Sequence, residues 1–245
     1  MNLQSQVDVL AKIDHKVSPW LAFWDTFNWH VNARHKEVYY RQIAQDIARY
    51  LPSPTAHVLD YGSGEALHAD FVAAVAGRVL LCEAAPRLRA SIAVRFANNA
   101  KLQVIAPEEV ERLPQYSLDL IVLHSVTQYL TPDEAGAVYA LFHRLLEPNG
   151  MLIVSDVITP TVSTLTDAVA LLRLGAANGF LMAALSGLAR IRLSDYWRLR
   201  TRHGLTRYDE AAMIKKLAAE GFFAHRANKN IGYNQARMTF VARPR

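Results

Sequence analysis

The chain of 245 residues contains one cysteine. That excludes an intrachain disulfide and a zinc cluster built on thiolates. No stretch of ~18 apolar residues runs free of charge, so no transmembrane helix is expected. The start, Met1-Asn2-Leu3-Gln4, lacks the basic flank and apolar core of a signal peptide, and a cytoplasmic location is the expectation. Internal repeats and low-complexity tracts are missing as well. Charged residues are only 20% of the chain against 51% apolar. That composition supports a full core and excludes wholesale disorder. At this length one domain is expected, with or without an added lid.

Negative charge is scarce at one end. Residues 1–186 hold 14 Lys/Arg against 18 Asp/Glu, whereas residues 187–245 hold 13 against 4. The basic C-terminal third has two readings, a solvated face or the footprint of an anionic partner.

At the N-terminus, Leu3, Val7, Leu10, Ile13 and Val17 have helical spacing. An aromatic-rich segment follows with Trp20, Phe23, Trp24, Phe27, Trp29 and His30. A second helix is predicted over 33–50, before Pro52-Ser53-Pro54 breaks the chain. Residues 1–52 are therefore read as a helical cap. From His57 onward, short apolar strands alternate with helices, at 57–61, 79–83, 102–105, 118–123 and 151–155. Thr131-Pro132-Asp133-Glu134 is a capping box that starts one of the helices. Strands without polar alternation, separated by helices, predict a parallel sheet covered on both faces. Residues 164–189 are almost uncharged and read as apolar helices broken near Gly175–Gly179. An arginine run follows, Arg190 to Arg207. A helix over 206–220 and two strands, 222–226 and 238–242, close the chain. Residues 53–245 are read as the core, with a helical insertion at about 160–205.

The informative motif is Val58-Leu59-Asp60-Tyr61-Gly62-Ser63-Gly64-Glu65-Ala66. Glycines after a buried strand let the backbone turn tightly and approach a ligand. The helix that follows presents free N–H groups to it. A dinucleotide fingerprint would need glycine where Leu67 stands. Asp60 is a poor neighbour for a pyrophosphate and a good one for a cationic amino group. A nicotinamide-dependent oxidoreductase is disfavoured on both counts.

Four landmarks now stand in order. They are Asp60-x-Gly62-x-Gly64-x-Ala66, the acidic Glu83 at the end of the second strand, Leu118-Asp119-Leu120-Ile121-Val122 as the fourth, and Pro148-Asn149-Gly150 leading into the fifth. The set resembles the class I S-adenosylmethionine-dependent methyltransferases, over roughly residues 57–158. Alanine at 66 replaces the last glycine of the family's motif. The resemblance implies an α/β, Rossmann-like seven-stranded sheet, mostly parallel with an antiparallel last strand. Helices would cover both faces, and the cap and lid would be additions. It implies S-adenosylmethionine as cofactor and S-adenosylhomocysteine as product. Asp60, Gly62, Ser63 and Gly64 would hold the methionyl part, and Glu83 with Ala84 the ribose. Glu108 or Glu109 would lie near the adenine, and His124 with Ser125 would face cofactor and substrate. No metal is implied.

Methyl transfer from a sulfonium is a direct displacement that needs in-line alignment above all. A base is required only where the nucleophile must lose a proton. His124, His30 and Tyr129 are the catalytic candidates, since histidine titrates near neutral pH. The Asn/Asp-Pro-Pro-Tyr/Phe signature of nucleic-acid amine methylation is replaced here by His124-Ser125-Val126-Thr127. A small, hydrophobic or lipid-like acceptor is therefore expected, under a lid made by the apolar insertion. That insertion has two other readings, as core or as a dimer interface, so monomer and homodimer both stay open. Serine at Phe180 and Leu181 is expected to raise KM and spare cofactor affinity. The arginine run could be a solvated face, a site for an anionic group of the substrate, or a footprint for RNA or a membrane surface. Nucleic acid is not favoured. A non-catalytic cofactor-binding protein of the same fold is the remaining alternative.

Overall fold

The computed structural model describes residues 20–25, 30–192 and 194–245. The helix expected over 3–17, together with Phe27 and Trp29, lies outside the described residues.

Seven strands form one sheet in the order β3-β2-β1-β4-β5-β7-β6. They are β1 (His57–Tyr61), β2 (Arg78–Cys82), β3 (Leu102–Ile105), β4 (Leu118–His124), β5 (Leu146–Val157), β6 (Phe222–Arg226) and β7 (Met238–Pro244). β1 to β5 pair in parallel, and β7 runs antiparallel to both β5 and β6. Successive strand residues feed opposite faces of the sheet. Leu120, Val122 and Ile153 pack on one side with Ile43, Ala44 and Ile47 of helix α1 (Ala33–Ala48) and with Val72 of α2 (Ala69–Val75). Ile121, Leu123 and Val154 pack on the other with Val138, Tyr139 and Phe142 of α5 (Pro132–Leu145). Two buried faces are why these strands read as unbroken apolar runs. Thr131 caps α5 in the predicted reciprocal box with Glu134.

The sheet also binds α3 (Pro86–Arg95), a short α4 (Pro107–Glu111) and α9 (Glu210–Ala219). After β5 the chain forms a helical hairpin, α6 (Thr164–Asn178) and α7 (Leu181–Arg192), then α8 (Asp195–His203). Gly179 ends α6 in the left-handed conformation at φ 75°, inside the predicted break. Phe180 and Ala184 pack on Leu171 and on Val31 of the cap. No helix of the described residues is long and apolar enough to cross a membrane.

Three local expectations change. The first crossover helix starts only at Ala69, because Gly64 and Ala66 take positive φ values of 57° and 45° and hold residues 62–68 as a loop. Pro148-Asn149-Gly150 does not precede β5 but lies within it, at a register shift between Leu118 and Leu120 on β4. Helix α4 forms around Glu108 and Glu109, and helix α8 forms within the arginine run. The helix expected from Thr206 begins at Glu210, where Asp209 accepts a capping bond from the N–H of Ala212.

Candidate functional site

The strand order reverses between β1 and β4, and the carboxyl ends of β1, β2, β4 and β5 converge there. Such switch points open a crevice above the sheet. A cavity of about 1230 Å³ occupies this one, bounded above by Trp20, Trp24, His30, Tyr39 and Tyr40 and by α6, α7 and α8.

One part of the cavity is built from the glycine loop. Gly62 and Ser63 both donate to the carbonyl of Cys82, which ties the loop to the end of β2. Glu83 accepts from the Gly64 N–H at 3.0 Å and from the Ala85 N–H at 2.9 Å, one bond on each oxygen. A carboxylate has further lone pairs, so Glu83 can still take ligand hydroxyls. Burial raises the pKa of Glu83. Asp60 is pushed up to about 7 by burial and then by the charge of Glu83. A cation beside these two acids would relieve both. The Ser63 hydroxyl is buried without a hydrogen-bond partner.

The loop is clamped from above by α1. Tyr40 accepts from the Glu65 N–H at 2.9 Å, and Lys36 pairs with the Glu65 carboxylate. A Cβ on Gly64 would stand 2.9 Å from the Tyr40 hydroxyl, and one on Gly62 would stand 2.4 Å from a methyl of Val126. With φ values of 57° and 79°, both positions require glycine.

The other part is aromatic and charged. His124, at the end of β4, has Nδ1 2.9 Å from Ser155 Oγ and Nε2 3.3 Å from Tyr39 Oη. Burial lowers its pKa and holds the ring neutral. Ser125 and Asp156 both sit in left-handed backbone, at φ 60° and 62°, and the Ser125 hydroxyl donates to Asp156. Such strain outside glycine gathers at functional sites. Arg237 Nη1 donates to Asp156 at 2.6 Å, and its Nη2 donates to Asp167 at 2.9 Å. The two carboxylates hold Arg237 firmly charged although the side chain is buried. Trp20, Trp24, Tyr129 and Tyr196 stack into a wall, with Trp20 and Tyr129 ring centres 4.9 Å apart.

Residues 59–154 match the methyltransferase-domain family. The match runs from β1 into β5, the parallel part of the sheet. No curated protein sequence matches the chain. Its fold is similar to that of DhpI solved with S-adenosylhomocysteine, at 15% identity over 95% of this chain and 96% of that one, with a TM-score of 0.58. The mitomycin 7-O-methyltransferase MmcR superposes with a TM-score of 0.57 at 16% identity, over 83% of this chain and 53% of its own. Human N-acetylserotonin methyltransferase, solved with S-adenosylmethionine, gives 0.54 at 12%, over 84% and 51%. The chain spans about half the length of those two proteins.

The predicted cofactor residues Asp60, Gly62, Ser63, Gly64, Glu83 and Ala84 all line the cavity, as do Glu108, His124 and Ser125. Glu109 does not. Its carboxylate accepts from the Ala106 N–H at 2.7 Å and caps α4, while Glu108 and Glu111 border the cavity. The catalytic candidates His30 and Tyr129 line it too. Burial, with His35 and Lys36 nearby, pushes His30 down to about 3, and burial holds Tyr129 as a neutral phenol in the aromatic wall. Phe180 is buried within the hairpin and Leu181 faces outward, whereas Leu171 and Leu188 reach the cavity. Sequence reasoning missed Tyr40, Ser155, Asp156, Asp167 and Arg237. Asp156 had a signal, since it directly follows the apolar run of the fifth strand. Arg237 had none, because its partners lie 81 and 70 residues away.

Proposed function

We propose that the protein transfers a methyl group to a small, predominantly apolar acceptor by direct displacement. One observation carries this reading: the glycine loop with Glu83 and the aromatic wall belong to one cavity. Its volume of about 1230 Å³ exceeds the ~300–1,000 Å³ of a single-ligand site. Cofactor and acceptor can therefore meet inside it with water excluded.

The residues fit the cofactor. Its ammonium matches Asp60, its ribose hydroxyls match the spare lone pairs of Glu83, and the buried Ser63 hydroxyl has a bond to give. When bound, S-adenosylmethionine supplies an electrophilic methyl on a sulfonium. The chain's own part is binding, alignment and proton handling. His124 is neutral, and in the tautomer with hydrogen on Nδ1 it donates to Ser155 and leaves Nε2 to accept from Tyr39. Tyr39 is a neutral phenol, because burial raises its pKa well above the ordinary value. A hydroxyl acceptor beside Tyr39 would pass its proton through that phenol to His124. Oxygen is the preferred methyl-accepting atom.

The anionic-macromolecule reading loses support, because much of the arginine run is used internally. Arg190 donates to Val31 O, Arg207 to Pro160 O and Val162 O, and Arg200 faces Asp167. A peripheral membrane contact keeps one supporting feature, the outward Leu165, Leu181, Met182 and Leu185 of the hairpin. Flotation with anionic vesicles at low salt tests it, and no co-migration removes it.

The experiment for the main reading is calorimetric titration with S-adenosylmethionine and S-adenosylhomocysteine, followed by a labelled-methyl screen of hydroxylated aromatic metabolites. Micromolar cofactor binding that is lost in Glu83→Ala is expected. A folded protein that binds neither ligand refutes the reading, and binding without transfer to any acceptor favours a non-catalytic role.

A further inference from the structure

The acceptor part of the cavity contains two buried polar atoms that the fold leaves open. Asp167 on α6 uses only one of its oxygens fully. Oδ1 accepts from Asn234 Nδ2 at 2.8 Å, from Arg237 Nη2 at 2.9 Å and from Arg237 Nε at 3.2 Å. Oδ2 is buried and accepts no hydrogen bond, and Arg200 Nη1 stands 3.7 Å away. Arg200 on α8 has the complementary defect, since its Nη2 is buried and donates to nothing. Both side chains line the cavity, and their exposures are 19% and 14%. An unsatisfied buried polar group is costly, and native structures leave few of them. A donor and an acceptor left open side by side fit one ligand group that offers both.

Charge decides what kind of group that is. Arg200 and Arg237 already balance Asp156 and Asp167, so the cluster is neutral. A carboxylate placed on Arg200 would leave a net buried negative charge and would face the bare Oδ2 of Asp167. A neutral group with an acceptor atom next to a donor satisfies both atoms at no electrostatic cost. The neighbouring surface is flat and apolar. Tyr196 of α8 lies 5.9 Å from Trp20, ring centre to ring centre, and Trp20 lies 4.9 Å from Tyr129.

We propose that Arg200 and Asp167 form the recognition site for a neutral donor–acceptor substituent of the methyl acceptor, a carboxamide or a hydroxyl beside a carbonyl, carried on a planar ring. This inference rests on the proposed methyl transfer and names its substrate class.

The test uses the full chain saturated with S-adenosylhomocysteine, whose binding is measured first. Failure at that step refutes the methyltransferase reading itself, and the later steps address only this site. Benzamide and benzoate are then titrated separately by calorimetry. Benzamide is expected to bind in the millimolar range or better, and at least tenfold tighter than benzoate. Arg200→Met should weaken benzamide at least tenfold with S-adenosylhomocysteine affinity unchanged. Asp167→Asn, which removes the bare carboxylate, should reverse the preference toward benzoate. Should that variant not fold, Arg200→Lys serves as the second, keeping the charge without the open Nη2 and still weakening benzamide. The proposal is overturned if wild-type protein binds benzoate as well as benzamide, if it binds neither at millimolar concentration, or if Arg200→Met leaves benzamide affinity unchanged.

Discussion

His35 sits fully buried where α1 meets the lid hairpin, its ring centre 5.3 Å from that of Phe180. Its Nδ1 accepts the Val31 N–H at 3.3 Å, which only an unprotonated Nδ1 can do. Burial pushes its pKa from 6.5 down to about 4. The unfolded chain therefore binds this proton more readily than the folded one, and the stability tied to His35 is present above pH 6.5 and lost as pH falls toward 4. At pH 5 the loss is about 2 kcal/mol, or roughly 4–8 °C in melting temperature for a chain of this size. Asp60 acts in the opposite sense. Its folded pKa is raised from 3.8 to about 7, so its contribution is present at low pH and fades as pH rises through 7. The informative quantity is thus a difference between proteins. Melting of wild type and His35→Gln is followed by circular dichroism at pH 7.5 and pH 5. The variant should lose roughly 4–8 °C less on acidification, whatever its melting temperature at pH 7.5. Equal pH dependence in the two proteins would refute the claim that a neutral His35 holds cap and lid together.

The same acid–base logic at Asp60 predicts that S-adenosylhomocysteine binds better as pH rises, because its ammonium needs the carboxylate. Calorimetry should give a Kd roughly tenfold weaker at pH 6 than at pH 8, and a flat profile would place the ammonium elsewhere. Tyr40→Phe removes the acceptor of the Glu65 N–H and should weaken S-adenosylhomocysteine binding by about 1–2 kcal/mol, or 5–30-fold; unchanged affinity would mean that the clamp is dispensable. Arg237→Leu strips the counterion from Asp156 and Asp167 and should cost about 3–5 kcal/mol in denaturant unfolding, whereas a loss below ~1 kcal/mol would show that water takes over its role. Leu188→Ser should raise the KM for the acceptor and spare cofactor affinity, while Leu181→Ser on the outer face should change neither; equal effects would remove the hairpin from the acceptor site.

The cofactor half of the site was legible in the sequence because it is local. Asp60, Gly62 and Gly64 lie within five residues at one strand end, and a turn that needs positive φ announces itself by glycine. Ala66 shows the limit of that rule, since it holds φ 45° without being glycine. Glu83, which the family resemblance singled out, ends an apolar run and lines the cavity. Contacts made between distant segments were not legible. Tyr40 reaches the loop from 25 residues upstream, and Arg237 reaches Asp156 and Asp167 from the far end of the chain. Of the alternatives Glu108 and Glu109, only Glu108 lines the cavity, and Glu109 caps its own helix. A carboxylate three residues into a helix can cap its own N-terminus, and spacing alone does not separate Glu108 from Glu109.

Apolar runs buried on two faces, capping signals and glycine turns are set by interactions within a few residues. They determined by themselves the strand–helix alternation, the covered sheet and the glycine loop at the carboxyl edge. The tertiary structure alone decided which arginines of the basic run turn inward, which face of the hairpin meets the cavity, and that two carboxylates share Arg237 while Arg200 keeps an open donor. Those outcomes depend on burial and on partners brought together from distant segments, and desolvation makes a charge choose its partner only after the fold has closed around it.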